Sequence, residues 1–361
     1  MSVFWNNRTK NISPYVPGEQ PKDRQFIKLN TNENPYPPSP KVIDAIQKAA
    51  GERLRLYPDP QCTEFREAVA ARYGVKPEQV FAGNGSDEIL AFAFAAFFAN
   101  GEKAAPVLFP DITYSFYPVY AALWDIPRRV IPLTEDFSIN TADYRVPSGG
   151  VIFPNPNAPT GIAVPLDDIL SLAEYLEKKE KVLIVDEAYA AYAAFGAQTA
   201  VPHINKYANL LTVHTLSKSA SLAGLRVGFA IGNEKLIEGL CRIRDSFNSY
   251  TLDRLALAGA AAAVSDADYY NEINSRVIAT REKTAQALRG LGFTVLPSSA
   301  NFLFVKPPRI GGAEFFATLR ENGILVRHFN KERIADFLRI SIGTDEEMDA
   351  LLEVCGKICN K

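Results

Sequence analysis

Short apolar runs recur along most of the chain, each followed by a longer stretch with helical spacing. Gln79-Val80-Phe81-Ala82, Val107-Leu108-Phe109, Val130-Ile131-Pro132-Leu133, Val151-Ile152-Phe153-Pro154, Val182-Leu183-Ile184-Val185, Leu210-Leu211-Thr212-Val213 and the stretch from Arg226 to Ile231 read as strands. Helices are predicted from Pro40 to Ala50, from Thr63 to Tyr73 with a capping pattern at Thr63, after Gly83 through Ala99, from near Thr113, and from Leu166 to Lys179. Another runs from Asn233 to Val264 with a break near Ser249-Tyr250-Thr251. Continuous apolar strands alternating with helices predict an α/β fold, a mostly parallel sheet covered by helices on both faces.

Beyond residue 265 the pattern changes. A long helix from about Asp268 to Leu291 leads into strands at Phe293–Leu296, Phe302–Val305, Ile324–Phe329 and Phe337–Ile342, with helices at Ala313–Glu321 and Asp345–Lys357. This predicts a small α+β C-terminal domain. Residues 1–30 are polar and carry Ser13-Pro14-Tyr15-Val16-Pro17-Gly18, the mark of an extended arm. The expected organisation is an arm (1–30), a large domain (31–265) and a small domain (266–361).

Composition narrows the functional classes. The chain has 361 residues, 47% hydrophobic and 22% charged, with a net charge of −2. That balance steers it toward neither nucleic acid nor an anionic membrane. The longest apolar run, Ile89 to Ala99, falls short of the roughly 18 residues of a membrane span, and the N-terminus shows no secretory pattern. The four cysteines are scattered and three histidines offer no metal-ligand set, so neither a metal site nor a disulfide framework is expected. A soluble, reduced, cytoplasmic protein is the expectation.

In parallel sheets ligands bind beyond the carboxyl ends of the strands, and the polar clusters fall at those ends. Gly83-Asn84-Gly85-Ser86-Asp87-Glu88 joins a strand to a helix start, a ready anion site. Asp186 ends an apolar strand, where a buried carboxylate needs a partner. Lys218 sits between Ser217 and Ser219 after another strand, and Arg226 follows between Gly224 and Gly228. A lysine at a strand mouth can bond to an aldehyde, while hydroxyls and a guanidinium suit a phosphate. An aldehyde and a phosphate on one small molecule suggest pyridoxal phosphate. Arg339 alternates with Leu338 and Ile340, so it shares a strand face with Ser341.

These motifs, with Asn30-x-Asn32-Glu33-Asn34-Pro35 and Asp186-Glu187-Ala188-Tyr189, resemble the fold-type-I pyridoxal-phosphate aminotransferases, and within them the histidinol-phosphate aminotransferases. The resemblance runs from Tyr15 to Gly343. It implies that Lys218 binds the cofactor covalently and later shuttles a proton, that Asp186 pairs with the protonated pyridine nitrogen, and that Tyr189 contacts the phenolic oxygen. It implies a ring stacked by Tyr114 and a phosphate cradled by Ser86, Asp87, Ser217 and Arg226, the first two chiefly through backbone N–H groups. Arg339 matches an arginine for the substrate carboxylate and Arg327 one for phosphate-bearing substrates, with Tyr15 and Asn32 closing the pocket. Tyr57 matches a residue that reaches the phosphate of the other subunit, so a homodimer with shared active sites is implied. One position departs from the pattern. The family carries asparagine immediately before Pro-Thr-Gly, where this chain has Ala158; either Asn157 takes over as donor, or the donor is absent.

The activity implied is transamination of histidinol phosphate with 2-oxoglutarate and glutamate, a step of histidine biosynthesis. An aromatic-amino-acid aminotransferase or a threonine-phosphate decarboxylase shares the same lysine, aspartate and arginine framework and stays open. A ligand-sensing regulator on this fold would bring a DNA-binding module, which is not expected here.

Overall fold

The computed structural model describes residues 2–21, 24–193 and 199–359; positions 1, 22–23, 194–198 and 360–361 lie outside it. The strands are β1 (Ile27–Lys28), β2 (Val80–Gly83), β3 (Val107–Pro110), β4 (Arg128–Ile131), β5 (Gly150–Pro154), β6 (Leu183–Asp186), β7 (Leu210–Thr215), β8 (Gly228–Gly232), β9 (Thr294–Val295), β10 (Phe302–Lys306), β11 (Ile324–Leu325), β12 (Arg327–His328) and β13 (Leu338–Ser341). The helices are α1 (Asn7–Asn11), α2 (Pro40–Ala49), α3 (Thr63–Tyr73), α4 (Gly85–Phe97), α5 (Tyr117–Leu123), α6 (Leu166–Glu177), α7 (Glu234–Phe247), α8 (Arg254–Ser265), α9 (Ala267–Gly290), α10 (Gly312–Glu321) and α11 (Asp345–Cys359).

The main sheet has seven strands in the order β2-β8-β7-β6-β5-β3-β4. Only β8 runs against its neighbours. The carboxyl ends of the other six therefore share one edge, where the chemistry collects. β2, β3, β5, β6 and β7 are buried at every position, as strands covered on both faces must be. Alternation then sorts their side chains. Ile184 packs with α4 and α5, whereas Leu183 and Val185 pack with α6.

Helix α9 is shared between two cores. Its first turns send Tyr270 and Ile273 into the cluster under α3 and α8. Val277, Ala285 and Leu288 pack instead with β10, α10 and α11 in a C-terminal core. Leu29 joins that core, and β1 pairs in parallel with β11. The stretch at the end of the arm is thus held by residues some 300 positions away.

Several local expectations need correction. The helix expected near Thr113 starts at Tyr117, which leaves Tyr114 in the turn before it. The arm contains a short helix, α1. The amide of Thr63 is capped by the carboxylate of Asp59, which also takes the amide of Gln61. The run from Ile324 to Phe329 is two strands, because β11 pairs with β1 while β12 pairs with β13. Arg226 is not in a strand. It is a left-handed residue, φ 57° and ψ 48°, where the chain reverses into β8.

Candidate active site

A cleft of about 240 Å³ opens at the carboxyl edge of the sheet, between it and the small C-terminal sheet. Its lining includes Tyr15, Asn32, Ser86, Asp87, Tyr114, Asp186, Tyr189, Ser217, Lys218, Arg226, Arg327 and Arg339. Two expected residues are elsewhere. Tyr57 is 78% exposed and stacks on Tyr250 at 4.6 Å. Asn157 is buried beneath the loop that follows β5, and its amide is fully used. Its Nδ2 donates to Ile112 O (3.0 Å) and Thr160 Oγ1 (3.1 Å), and its Oδ1 accepts from Thr113 Oγ1 (3.1 Å). Ala158, not Asn157, faces the cleft. The structure therefore gives no support to Asn157 as the replacement donor.

One end of the cleft is an anion cradle. Helix α4 starts at Gly85, and its first turn presents the amides of Ser86 and Asp87 at the positive end of the helix. Arg226 reaches the same place, with Nη1 3.2 Å from Ser217 Oγ and Nη2 3.1 Å from Asp87 Oδ2. Close approach explains two glycines. Gly85 has φ +74°, and a Cβ there would lie 2.7 Å from Arg226 Nη2; a Cβ on Gly228 would lie 2.6 Å from the Ser86 amide. The Asp87 side chain does more than the sequence suggested, because its Oδ1 also accepts from Tyr114 Oη at 2.6 Å. One carboxylate thus anchors both the cradle's guanidinium and the aromatic ring beside it.

In mid-cleft, Lys218 Nζ donates to Thr31 O at 3.0 Å. Burial, reinforced by the positive charge of Arg339, pushes the amine down to about 8, against the pull of Glu33 and Asp87. An appreciable share is then neutral near physiological pH, as a nucleophile requires. Asp186, 4% exposed, accepts from Tyr117 Oη (3.1 Å) and the Ala188 amide (3.2 Å). Burial still pushes its carboxyl up to about 6. Tyr189 Oη accepts from Asn32 Nδ2 at 2.9 Å, and Asn32 is held in turn by Ser341.

At the far end, Arg327 and Arg339 stand directly opposite one another on β12 and β13. Like charges in register are unfavourable. Neither has a carboxylate partner among the described residues. Arg339 donates to Asn30 O at 3.0 Å, while its buried Nε lacks a partner among the described residues. Arg327 makes long contacts to Pro17 O (3.5 Å) and Val16 O (3.4 Å) and lies over the Phe329 ring at 5.7 Å. Two guanidinium groups in register in the cleft lining suit an anion. Sequence reasoning found both arginines but missed their register, along with Thr31 and Tyr117. The register depended on the split between β11 and β12, and the other two on tertiary contacts that no local pattern signals.

A larger cavity, about 900 Å³, lies behind Glu187 and His214; no lysine lines it among the described residues. The lysine, the carboxylate and both anion sites belong to the smaller cleft.

The family model described as Aminotransferase class I and II matches residues 24–354. The chain belongs to this family. A histidinol-phosphate aminotransferase of Bordetella parapertussis is 54% identical to this aminotransferase over 361 residues, covering 99% of each chain. One from Clostridium acetobutylicum is 52% identical and covers 98% of each. Among solved structures, the histidinol-phosphate aminotransferase of Sinorhizobium meliloti in complex with pyridoxal-5'-phosphate superposes with a TM-score of 0.88 at 25% identity, covering 100% of this chain and 98% of that one. An aspartate aminotransferase of Thermus thermophilus shares the fold, with a TM-score of 0.84 at 19% identity over 98% of this chain and 99% of the other. The fold-type-I architecture read from the sequence is the one observed.

Proposed function

We propose that this aminotransferase uses pyridoxal phosphate to transfer the amino group of histidinol phosphate to 2-oxoglutarate, a step of histidine biosynthesis. The observation that carries the reading is the pair of in-register arginines, without a carboxylate partner among the described residues, in the same cleft as Lys218, Ser217 and Arg226. A cofactor phosphate and a substrate anion each have a cationic pocket, with the amine between them. Near-full-length relatives bearing the histidinol-phosphate name support the substrate.

The residues fit the cofactor. The α4 amides, Ser217 and Arg226 would hold its phosphate, and Asp186 would face its ring nitrogen. Tyr114 would lie beside the ring, and Tyr189, oriented by Asn32, would serve the phenolic oxygen. When bound, pyridoxal phosphate supplies an aldehyde that bonds to amines and a ring that withdraws electrons from the substrate Cα. Lys218 would move the proton between that carbon and the cofactor's aldehyde carbon, its amine already easily deprotonated. Arg339 would fork onto the glutamate carboxylate or the substrate phosphate, with Arg327 adding more to the phosphate, whose charge approaches −2.

The reading extends to assembly and place. It divides the chain into an arm (1–30), a cofactor unit (31–265) and a small unit (266–361), in keeping with the two cores that share α9. It makes the protein a cytoplasmic homodimer in which the exposed Tyr57 reaches a partner's phosphate. Among the described residues, no helix is long and apolar enough to cross a membrane.

The test is a substrate panel scored by half-reaction spectra of the bound cofactor. Histidinol phosphate and glutamate should each convert it. Ready turnover of phenylalanine without histidinol phosphate defeats the substrate assignment, and release of carbon dioxide from threonine phosphate replaces it with a decarboxylase.

A further inference from the structure

Tyr117 begins α5, and its ring is fully buried. Tyr114 meets it edge-on at 5.7 Å and Phe109 at 5.9 Å, with Phe94 at 6.4 Å. A hydroxyl in such surroundings needs a partner, and it has one, Asp186 Oδ2 at 3.1 Å. The meeting follows from strand alternation. Asp186 lies on the same β6 face as Ile184, and Ile184 packs in the cluster that contains Tyr117. The other oxygen, Oδ1, accepts from the Ala188 amide. The carboxylate is thus fixed from two sides, by a backbone amide and by one side chain.

We propose that Tyr117 is a positioning residue for the reaction. By donating to Oδ2 it keeps the Asp186 carboxylate ionised and turned to the cleft, and so sets how strongly the site favours a ligand with a protonated ring nitrogen. The inference rests on the functional reading above. The ionisable groups acting on Asp186 support it. Asp87 on α4 and Glu187 beside it are carboxyls, while Tyr114, Tyr120 and Tyr189 are phenols. Burial first, and then Asp87, work against the charged form; the Tyr117 hydroxyl and the Ala188 amide oppose them. Removing Tyr117 leaves one donor against an unchanged burial cost.

A merely structural Tyr117 would use Asp186 only to satisfy its own hydroxyl, and two measurements separate the cases. In cofactor-free Tyr117→Phe, the Asp186 carboxyl, followed by carbon NMR of labelled aspartate and assigned with Asp186→Asn, should titrate about one unit higher than in wild type. At pH 5, below both titrations, Tyr117→Phe should bind pyridoxal phosphate about tenfold more weakly, yet bind the analogue with carbon in place of the ring nitrogen as wild type does. An unmoved titration, or equal losses for both ligands, overturns the proposal. If Tyr117→Phe does not fold, a fluorinated tyrosine at 117, a stronger donor, should shift the Asp186 titration downward; no shift is equally fatal. Wild-type protein that binds neither ligand overturns the functional reading and the ring-nitrogen part with it, while the titration still decides what Tyr117 does to Asp186.

Discussion

The carboxyl of Asp186 is raised from 3.8 to about 6 because it is buried. That difference of about two units corresponds to about 3 kcal/mol. A raised folded-state value contributes stability that is fully present below pH 3.8 and is lost as pH rises through about 6. Above that, the folded protein carries a buried charge that asparagine would not. Cofactor-free Asp186→Asn is therefore expected to exceed wild type in stability by up to about 3 kcal/mol at neutral pH, with the gap closing in acid. Urea unfolding at neutral and acidic pH measures it; a gap that does not depend on pH rejects the account. At the other end of the cleft, charge-assisted hydrogen bonds are worth about 1.5–3 kcal/mol each. Arg339→Ala should cost roughly ten- to a hundredfold in kcat/KM in both half-reactions. Arg327→Ala should harm the histidinol phosphate half-reaction more than the glutamate one. Stopped-flow spectra of each half-reaction compare them, and equal losses for Arg327→Ala would contradict its phosphate role.

Among the elements, the loop after β5 changes an expectation most. Asn157 ties Ile112, Thr113 and Thr160 together, so Asn157→Ala leaves buried groups without partners. A loss of about 1–3 kcal/mol in stability should follow, with little change in the spectral titration of the bound cofactor. Thermal unfolding and a pH titration of the visible spectrum, run on one sample, decide between the loop tie and a cofactor contact. Lys218 and Asp186 were legible beforehand because each follows or ends an apolar strand, and a parallel sheet sends such residues to one edge. Arg339 was legible from alternation along β13. The left-handed turn at Arg226 was not, since the chain reversal that demands it has no local pattern. Asn157 was misread because one residue's offset in a turn sends its side chain to the opposite side. Tyr117 was invisible because nothing in an aromatic run tells which hydroxyl meets a carboxylate from another strand.

For the molecule as a whole, Tyr57 is the test of assembly. It lies outside the cleft of its own chain, stacked on the exposed Tyr250. Mixing Tyr57→Ala subunits with Lys218→Ala subunits, each inactive alone, should restore part of the activity, because one hybrid site then receives both intact residues. Subunits that exchange without any recovery would remove the cross-subunit role. Last is the pairing of β1 with β11, which joins Ile27 to Ile324. The same segment carries Thr31, whose carbonyl receives Lys218, and Asn32, which is held by Ser341. A chain leaving the ribosome can finish its central sheet while the acceptor for its lysine still waits for residues made nearly 300 positions later. Loop closure over such a span is slow and comes late. In refolding followed by cofactor fluorescence, binding competence should therefore appear in the slowest phase, after the far-ultraviolet signal of the sheet and helices is complete. Competence that arrives with that signal would mean the N-terminal segment docks first.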